Sequence, residues 1–179
     1  MDQTISDTKI PIRIAFVKPD GTPGIISLWY EQIGGKIYCA TKRTAKIVSY
    51  LQNNPKCGFE IATDKPPYKG TRGTGHVKII ESRGQEILKI LMKKYLGDKE
   101  STLSKYLNGN SETEVALEIS PQNIFNYDYS KRMKDVWIMI DDGCPTCGSK
   151  KQALSKVESN SDTSIQFLKC QNCKKIWAP

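Results

Sequence analysis

Four cysteines near the C-terminus have the residue type and spacing of a metal site. Cys144 and Cys147 form one C-x-x-C pair, Cys170 and Cys173 form another, and 22 residues separate the two pairs. Four thiolates satisfy the tetrahedral preference of zinc, and a closed set of four is structural because a catalytic zinc needs an open position. The pattern therefore predicts a structural zinc site. Iron is the alternative metal, and redox or disulfide chemistry is the alternative use of the cysteines.

A second group of residues indicates that the chain binds an anion. Lys42, Arg43 and Lys46 fall within five residues of the stretch "YCATKRTAKIVSYLQNNP". An anion bound among these cations would relieve their mutual repulsion, and the start of a helix offers free N–H groups and a positive dipole end. Thr44 is predicted to cap this helix and to add a hydroxyl group. The pattern favours a phosphate site, with a solvated helix start as the alternative.

The elements around this stretch are predicted to be β-hairpins followed by a short helix. "IPIRIAFV" alternates apolar and other residues with the period of a half-buried strand, and "KPDGTPG" has turn chemistry. "IISLWYE" and "KIYCAT" are predicted as the next strands, and the helix ends at Asn54-Pro55. The phosphate site would thus lie where a strand runs into a helix.

The rest of the first 140 residues adds strands and two helices. "CGFEIAT", "HVKIIES", "EVALEIS", "NIFNYDYS" and "DVWIMI" are predicted strands, whereas "DKPPYKGTRGTG" is too rich in Pro and Gly for regular structure. "RGQEILKILMKKYLGDK" has apolar residues at helical spacing, and "STLSKYLNG" is predicted as a second short helix with Ser101 at its start. This order predicts a mainly β protein with helical inserts (α+β), in which antiparallel strands close into a barrel.

Two domains are predicted, residues 1–140 and 141–179. The second begins near Asp141-Asp142-Gly143 and contains both cysteine pairs around a polar middle. A module of this size cannot fold by apolar burial alone, so a metal would supply most of its folding energy. In "CPTCGS" and in the "CxxCxxxW" ending it resembles a zinc ribbon, with a rubredoxin-like iron site as the minor alternative.

Residues 10–130 resemble the pyridoxamine 5′-phosphate oxidase-like flavoproteins, the FMN-binding split-barrel family. The resemblance is carried by "FVKPDGTPGIISLWYE", "GKIYCATKRTAKIVSYLQNNPKCGFEI" and "GHVKII". It implies a split β-barrel, an FMN cofactor, an oxidoreductase activity and a homodimer with shared flavin sites. Relatives that bind F420 or haem share the barrel, which leaves these cofactors as alternatives.

The resemblance also implies a set of cofactor-binding residues. Lys46 matches the lysine that holds the FMN phosphate, and Arg43 is either a further phosphate ligand or an exposed charge. Residues 68–70 or Arg72 of a partner chain would complete the site. The other implied residues are Thr44 and Ala45 beside the phosphate, Cys39 and Ala40 along the ribityl chain and ring, and Ser27, Leu28 and Trp29 beneath the ring.

The substrate and the catalytic residues cannot be assigned by this resemblance. Pyridoxamine phosphate oxidases end in an Arg/His segment that binds the vitamin phosphate, whereas this chain has the cysteine module there, so the namesake activity is not expected. His76 is the only histidine, and no nucleophile system is evident. The alternative function is a non-catalytic flavin-binding barrel whose ribbon docks nucleic acid or a protein.

Composition sets the broad class of protein. The net charge of +8 and the pI near 9.1 suit an anionic ligand or nucleic acid, and equally plain solubility. No membrane span and no signal peptide are recognised, so a cytoplasmic protein is expected. The two isolated cysteines, Cys39 and Cys57, are predicted to be small buried hydrophobic residues rather than reactive thiols.

Overall fold

The computed structural model describes residues 9–98, 100–133, 137–139, 143–160 and 163–177. The chain forms two compact units. The first comprises the described residues of Met1–Ala62 and Gly70–Asn126, and the second those of Thr63–Lys69 and Tyr127–Pro179. The domain boundary predicted between residues 140 and 141 falls on residues outside the described ranges and stays a prediction.

The first sheet has seven strands in the order β2-β1-β5-β6-β7-β4-β3, and each strand pairing that the structure gives for it is antiparallel. This confirms the mainly β, antiparallel architecture. Its strands are β1 (Ile12–Val17), β2 (Pro23–Leu28), β3 (Glu31–Ile33), β4 (Lys36–Lys42), β5 (Lys56–Ala62), β6 (Lys69–Ile80) and β7 (Glu114–Asp128).

Within the described residues three helices accompany this sheet; the first two were predicted from apolar spacing and the third from Ser101 at its start. They are α1 (Lys46–Asn53), α2 (Gly84–Leu96) and α3 (Thr102–Gly109). Short 3-10 turns cover Glu81–Arg83, Ser111–Thr113 and Ser130–Arg132. None of the helices in the described part of the chain is both long and apolar enough to cross a bilayer.

The barrel core is built by the alternation predicted for the strands. Ile12 and Ile14 of β1 are fully buried, as are Ile37 and Cys39 of β4. One face of α1 adds Ile47, Val48 and Leu51 to the same core. Burial of Cys39 and Cys57 confirms that both isolated cysteines lie inside apolar surroundings.

The prediction of irregular structure over residues 64–75 is confirmed for residues 64–68 but wrong from Lys69 onward, because β6 begins there. Glycine content was taken as the sign of a loop, but the glycines of this strand allow a neighbouring strand to pack closely against it. A Cβ on Gly75 would lie 2.7 Å from the carbonyl oxygen of Ser120, and one on Gly73 would clash with the carbonyl of Asn123. The segments 114–120 and 123–130, predicted as separate strands, lie mostly in the single strand β7.

The second sheet has the strand order β11-β10-β9-β8. Its strands are β8 (Trp137–Met139), β9 (Lys151–Asn160), β10 (Thr163–Cys170) and β11 (Ile176–Trp177). The segment before β9 carries Cys144 and Cys147; Cys170 is the last residue of β10, and Cys173 lies in the turn after it. This is the arrangement expected of a small ribbon, in which antiparallel strands hold two turns against one metal.

Candidate functional site

The basic stretch lies where β4 ends and α1 begins. Lys42 is the last residue of β4, and α1 starts at Lys46. Ala45, not Thr44, occupies the N-cap position, so that prediction for Thr44 is wrong. Ala45 makes no side-chain cap, and its N–H instead donates to the carbonyl of Lys42 at 2.9 Å. The hydroxyl of Thr44 is therefore not used as a cap of α1.

Two of the three cations have partners within the chain. Lys42 Nζ donates to Tyr106 Oη at 2.8 Å, a contact that raises the pKa of Lys42. Arg43 forms an exposed ion pair with Glu81 at 3.6 Å, which contributes little to stability. Lys46 is exposed, and no ion pair or hydrogen bond of its side chain occurs among the described residues. The crowding is thus partly relieved, and Lys46 is the cation of this stretch whose side chain has no such partner in the described structure.

A cleft of about 340 Å³ lies beside this stretch and collects four of the predicted cofactor residues. Ala40, Thr41 and Lys42 line it from β4, and Glu114 lines it from the start of β7. Helices α2 and α3 close the other side with leucines. The remaining lining residues are Ser27, Leu28, Trp29, Leu88, Leu91, Leu103 and Leu107.

Trp29 is held in place by an aromatic stack. Its ring lies 4.9 Å from that of Tyr95 with an interplanar angle of 10°. Tyr95 is itself fixed, because its hydroxyl donates to the carbonyl of Ile10 at 3.1 Å. Burial raises the pKa of Tyr95 to about 12, so the phenol stays protonated and keeps this contact. One face of Trp29 is therefore occupied by the protein.

Cys39 does not line the cleft, unlike the next residue of β4, Ala40. It is fully buried in the barrel core, and burial raises the pKa of its thiol well above the usual range. Because side chains alternate along a strand, Cys39 faces the core while Ala40 faces the cleft. A cofactor in the cleft could meet only the backbone of Cys39.

Sequence reasoning missed Glu114 and Tyr106. Glu114 pairs with Lys42 across the β4–β7 ladder, and only 6% of its surface is exposed. The alternation in "EVALEIS" did contain a signal, since Glu114 and Glu118 fall on the face opposite Val115, Leu117 and Ile119. The partner strand and the covering helices could not be read from that pattern.

Glu118 lies on the same face of β7 and is fully partnered. Tyr38 Oη donates to its carboxylate at 2.7 Å, and Lys36 forms an ion pair with it. These donors lower the pKa of Glu118 despite its burial, with Lys36 contributing most. The guanidinium of Arg83 lies 4.8 Å from the centre of the Tyr38 ring and extends the network.

The four predicted metal ligands converge in the second unit. The Sγ atoms of Cys144 and Cys173 are 3.6 Å apart, those of Cys147 and Cys170 are 3.5 Å apart, and all four lie within 4.8 Å of one another. None of these cysteines is in a disulfide. Four converging thiol sulfurs can hold one metal ion.

The two cysteine turns have matching backbone geometry. Cys144 N–H donates to Ser149 O and Gly148 N–H to Cys144 O, both at 2.8 Å. In the second turn Cys170 N–H donates to Lys175 O, and Lys174 N–H to Cys170 O. Backbone N–H groups also face the sulfurs: although burial raises the pKa of Cys170, the N–H groups of residues 173 and 172 bring it to about 6. The pKa of Cys144 is lowered as well, but the pKa of Cys173 is raised to about 11, because the N–H of residue 175, which lowers it, is outweighed by burial and the neighbouring sulfurs. The shifts thus favour the thiolate form at Cys144 and Cys170 and oppose it at Cys173.

No protein-family model and no curated protein matches the chain. Solved structures do match. An F420 reductase is 17% identical with a TM-score of 0.59, and the match covers 69% of this chain and 94% of the other. The conserved hypothetical protein Rv2991 from Mycobacterium tuberculosis is 18% identical with a TM-score of 0.62, covering 82% and 95%.

A third similar structure is a putative pyridoxamine 5′-phosphate oxidase from Listeria innocua. It is 17% identical with a TM-score of 0.53, and the match covers 69% of this chain and 92% of the other. At these identities the likeness concerns the fold. It confirms that the chain has the split-barrel fold of pyridoxamine 5′-phosphate oxidase-like proteins.

Proposed function

We propose that the chain is an FMN-binding split-barrel protein that acts as an oxidoreductase on an unknown substrate and carries a structural zinc site. The observation that carries this proposal is the position of Lys46. It is the one cation of the basic stretch whose side chain has no partner among the described residues, and it begins α1 four residues after Lys42, which lines the cleft; Lys46 itself is not among the lining residues. A phosphate there would meet a lysine and the free N–H groups of a helix start.

The donor set fits a flavin nucleotide. Lys46 and Thr44 would hold the phosphate, with Arg43 as a third ligand once it leaves Glu81. Ser27, Leu28, Trp29 and Ala40 would line the ring, and the backbone of Cys39 would run past it. When bound, FMN supplies the electron-transfer chemistry, while the protein binds and orients it and limits access of water.

F420 and haem are the alternative cofactors. One of the similar structures is an F420 reductase, so a deazaflavin stays the nearer alternative. Haem iron needs an axial ligand such as His, Cys, Met or Tyr, and none of these lines the cleft in the described part of the chain. The residues of the cleft therefore favour a flavin-type ring over haem.

We also propose that the barrel forms a homodimer. The outer face of β1, β5 and β6 carries a groove of about 640 Å³, and its lining includes Arg72. Ile25 at its edge is 70% exposed and Phe125 is 55% exposed, which is unusual for side chains of this size. A second copy would cover them. Sedimentation of Ile25→Asp as a monomer, with the wild type as a dimer, would support this contact.

A second candidate function is nucleic-acid docking by the ribbon. Lys150, Lys169, Lys174 and Lys175 are all exposed around the cysteine turns. A salt-dependent gel shift that disappears when residues 141–179 are removed would favour it. Four bound thiolates and one divalent ion add about −2, which weakens this candidate relative to a structural role.

The visible absorption spectrum of purified protein, with metal content measured on the same sample, tests the main proposal. Flavin bands together with one zinc per chain are expected. A colourless protein that takes up no FMN on titration would overturn the flavin assignment, and a deazaflavin or Soret band would replace it. Iron instead of zinc would correct the metal.

A further inference from the structure

The carboxyl group of Glu114 is a buried acceptor that no donor of the described chain satisfies. Glu114 is the first residue of β7, it lines the cleft, and only 6% of its surface is exposed. Burial raises the pKa of Glu114, and the charge of Lys42 opposes this shift only in part. A buried polar group without a partner costs free energy, so this carboxyl group would be satisfied by donors that arrive with a ligand.

The same strand shows how a buried carboxylate is satisfied by the protein itself. Glu118 lies on the same face of β7, accepts a hydrogen bond from Tyr38 Oη and forms an ion pair with Lys36. Lys42 faces Glu114 across the β4–β7 ladder, but its Nζ donates to a tyrosine hydroxyl of α3 instead. The carboxyl group of Glu114 therefore depends on what occupies the cleft.

The strand register places Glu114 between the two parts of the proposed cofactor site. Glu114 pairs with Lys42 at the end of β4, and Ala116 pairs with Ala40, two residues back along that strand. The proposed phosphate ligands follow Lys42 in the chain, whereas Ala40 lines the cleft where the ring is proposed to lie. Glu114 would therefore lie beside the part of the cofactor that joins its phosphate to its ring.

We propose that the carboxyl group of Glu114 accepts hydrogen bonds from the hydroxyl groups of the ribityl chain of a bound flavin. This inference rests on the proposed function and deepens it, because it assigns a residue to the segment between the phosphate and the ring. It makes Glu114 the residue that selects for a cofactor whose ring carries a polyol chain.

The chemistry of the ribityl chain suits this carboxyl group. A carboxylate accepts hydrogen bonds at two oxygens, and a chain of hydroxyl groups provides several neutral donors. The phosphate would repel a carboxylate, so Glu114 fits the uncharged segment better than the charged end. Two leucines from α2 and two from α3 line the cleft and offer no side-chain acceptor. The hydroxyl groups of the ligand and the carboxyl group of Glu114 would therefore satisfy each other.

The test compares riboflavin with lumiflavin, which has the same ring but a methyl group in place of the ribityl chain. Binding to the full chain is followed by quenching of flavin fluorescence. The variants are Glu114→Met, which keeps the side-chain length without a carboxyl group, and, as a matched control, Glu112→Met at an exposed glutamate of the same segment. Wild type and Glu112→Met should bind riboflavin more tightly than lumiflavin. Glu114→Met should bind riboflavin about tenfold more weakly than wild type does, with no loss for lumiflavin.

An equal loss for both flavins, no loss for riboflavin, or binding of FMN alone would overturn this inference and leave flavin binding itself intact. If neither flavin nor FMN bound to wild type, the proposed function would fail and this inference with it. If Glu114→Met does not fold, carboxyl NMR of the wild type decides. Saturation with riboflavin should lower the pKa of Glu114, because donors favour the ionised form, and lumiflavin should not lower it. The same change with both flavins, or no change with riboflavin, would refute the contact.

Discussion

Lys42 and Glu114 face each other across the β4–β7 ladder, yet Lys42 Nζ donates to Tyr106 Oη at 2.8 Å, and no hydrogen bond joins the pair in the described structure. Four residues along the same strand, Glu118 does have a lysine partner. Two similarly buried glutamates on one face of β7 thus have pKa values shifted in opposite directions, upward for Glu114 and downward for Glu118. This difference predicts opposite effects of pH on the stability that each contributes.

Glu118→Gln should destabilise the barrel at neutral pH by about 1 kcal/mol. The effect is small because the Lys36 side chain is partly exposed, and solvent screens its ion pair with Glu118. The pKa of Glu118 is lowered in the folded state, so its contribution is present above the ordinary value of 4.5 and is lost as the pH falls through the folded-state pKa. Urea unfolding of both proteins at pH 7 and pH 3 measures this. A difference that is as large at pH 3 as at pH 7 would contradict it.

Glu114→Gln should have the reverse pH dependence. The pKa of Glu114 is raised in the folded state, so the wild type loses stability as the pH rises from about 4.5 through the folded-state pKa. The variant lacks this loss and should be more stable than wild type at pH 8, by about 1 kcal/mol, with a smaller gain at pH 4. Urea midpoints at the two pH values measure the gain, and a gain that grows toward pH 4 would argue against it.

Cys170→Ser should remove the metal and unfold the second sheet. A small module whose four cysteines bind a metal depends on that metal for folding, and Cys170 is the most deeply buried of the four. We expect zinc content to fall well below one per chain and the amide signals of β9 and β10 to collapse, whereas those of the barrel remain. Cys57→Ala, which removes a cysteine outside the cluster, should keep the zinc.

Lys174→Gly should tighten metal binding. Lys174 has a φ of 61° in the second cysteine turn, and Gly148 has a φ of 68° at the matching position of the first. A left-handed conformation costs a residue with a side chain about 1 kcal/mol, and glycine removes this cost. Gly148→Ala should weaken binding by a similar amount. Chelator competition measures both, and equal affinities of the two variants would refute the strain.

Local patterns were sufficient to predict the strands around the basic stretch: Ile12 and Ile14 are buried, as the alternation of β1 requires. Helical spacing and cap residues were likewise sufficient for the helices of the described part of the chain. The prediction of a loop from Pro and Gly content failed at Gly73 and Gly75. These glycines lie in β6 and allow β7 to approach it closely. Local rules also favoured Thr44 as the cap, but the turn after β4 places Ala45 there.

The candidate site was only partly readable from the sequence. The cysteine spacing predicted which four residues converge, because a metal site is encoded by short local motifs. The cleft was not predicted, since it is formed by β2, β4, β7 and two helices that are distant in sequence. Glu114 became a candidate only through its strand register and its burial.

The central claim is that Lys46 holds the phosphate of a flavin nucleotide, and titration of the protein with FMN and with riboflavin tests it most directly. Quenching of flavin fluorescence should show that Lys46→Ala weakens FMN binding about tenfold or more while riboflavin binding is unchanged. Lys89→Ala, an exposed lysine on α2, serves as the control and should bind FMN as the wild type does. Equal FMN affinity in Lys46→Ala and wild type, or an equal loss for riboflavin, would contradict the account.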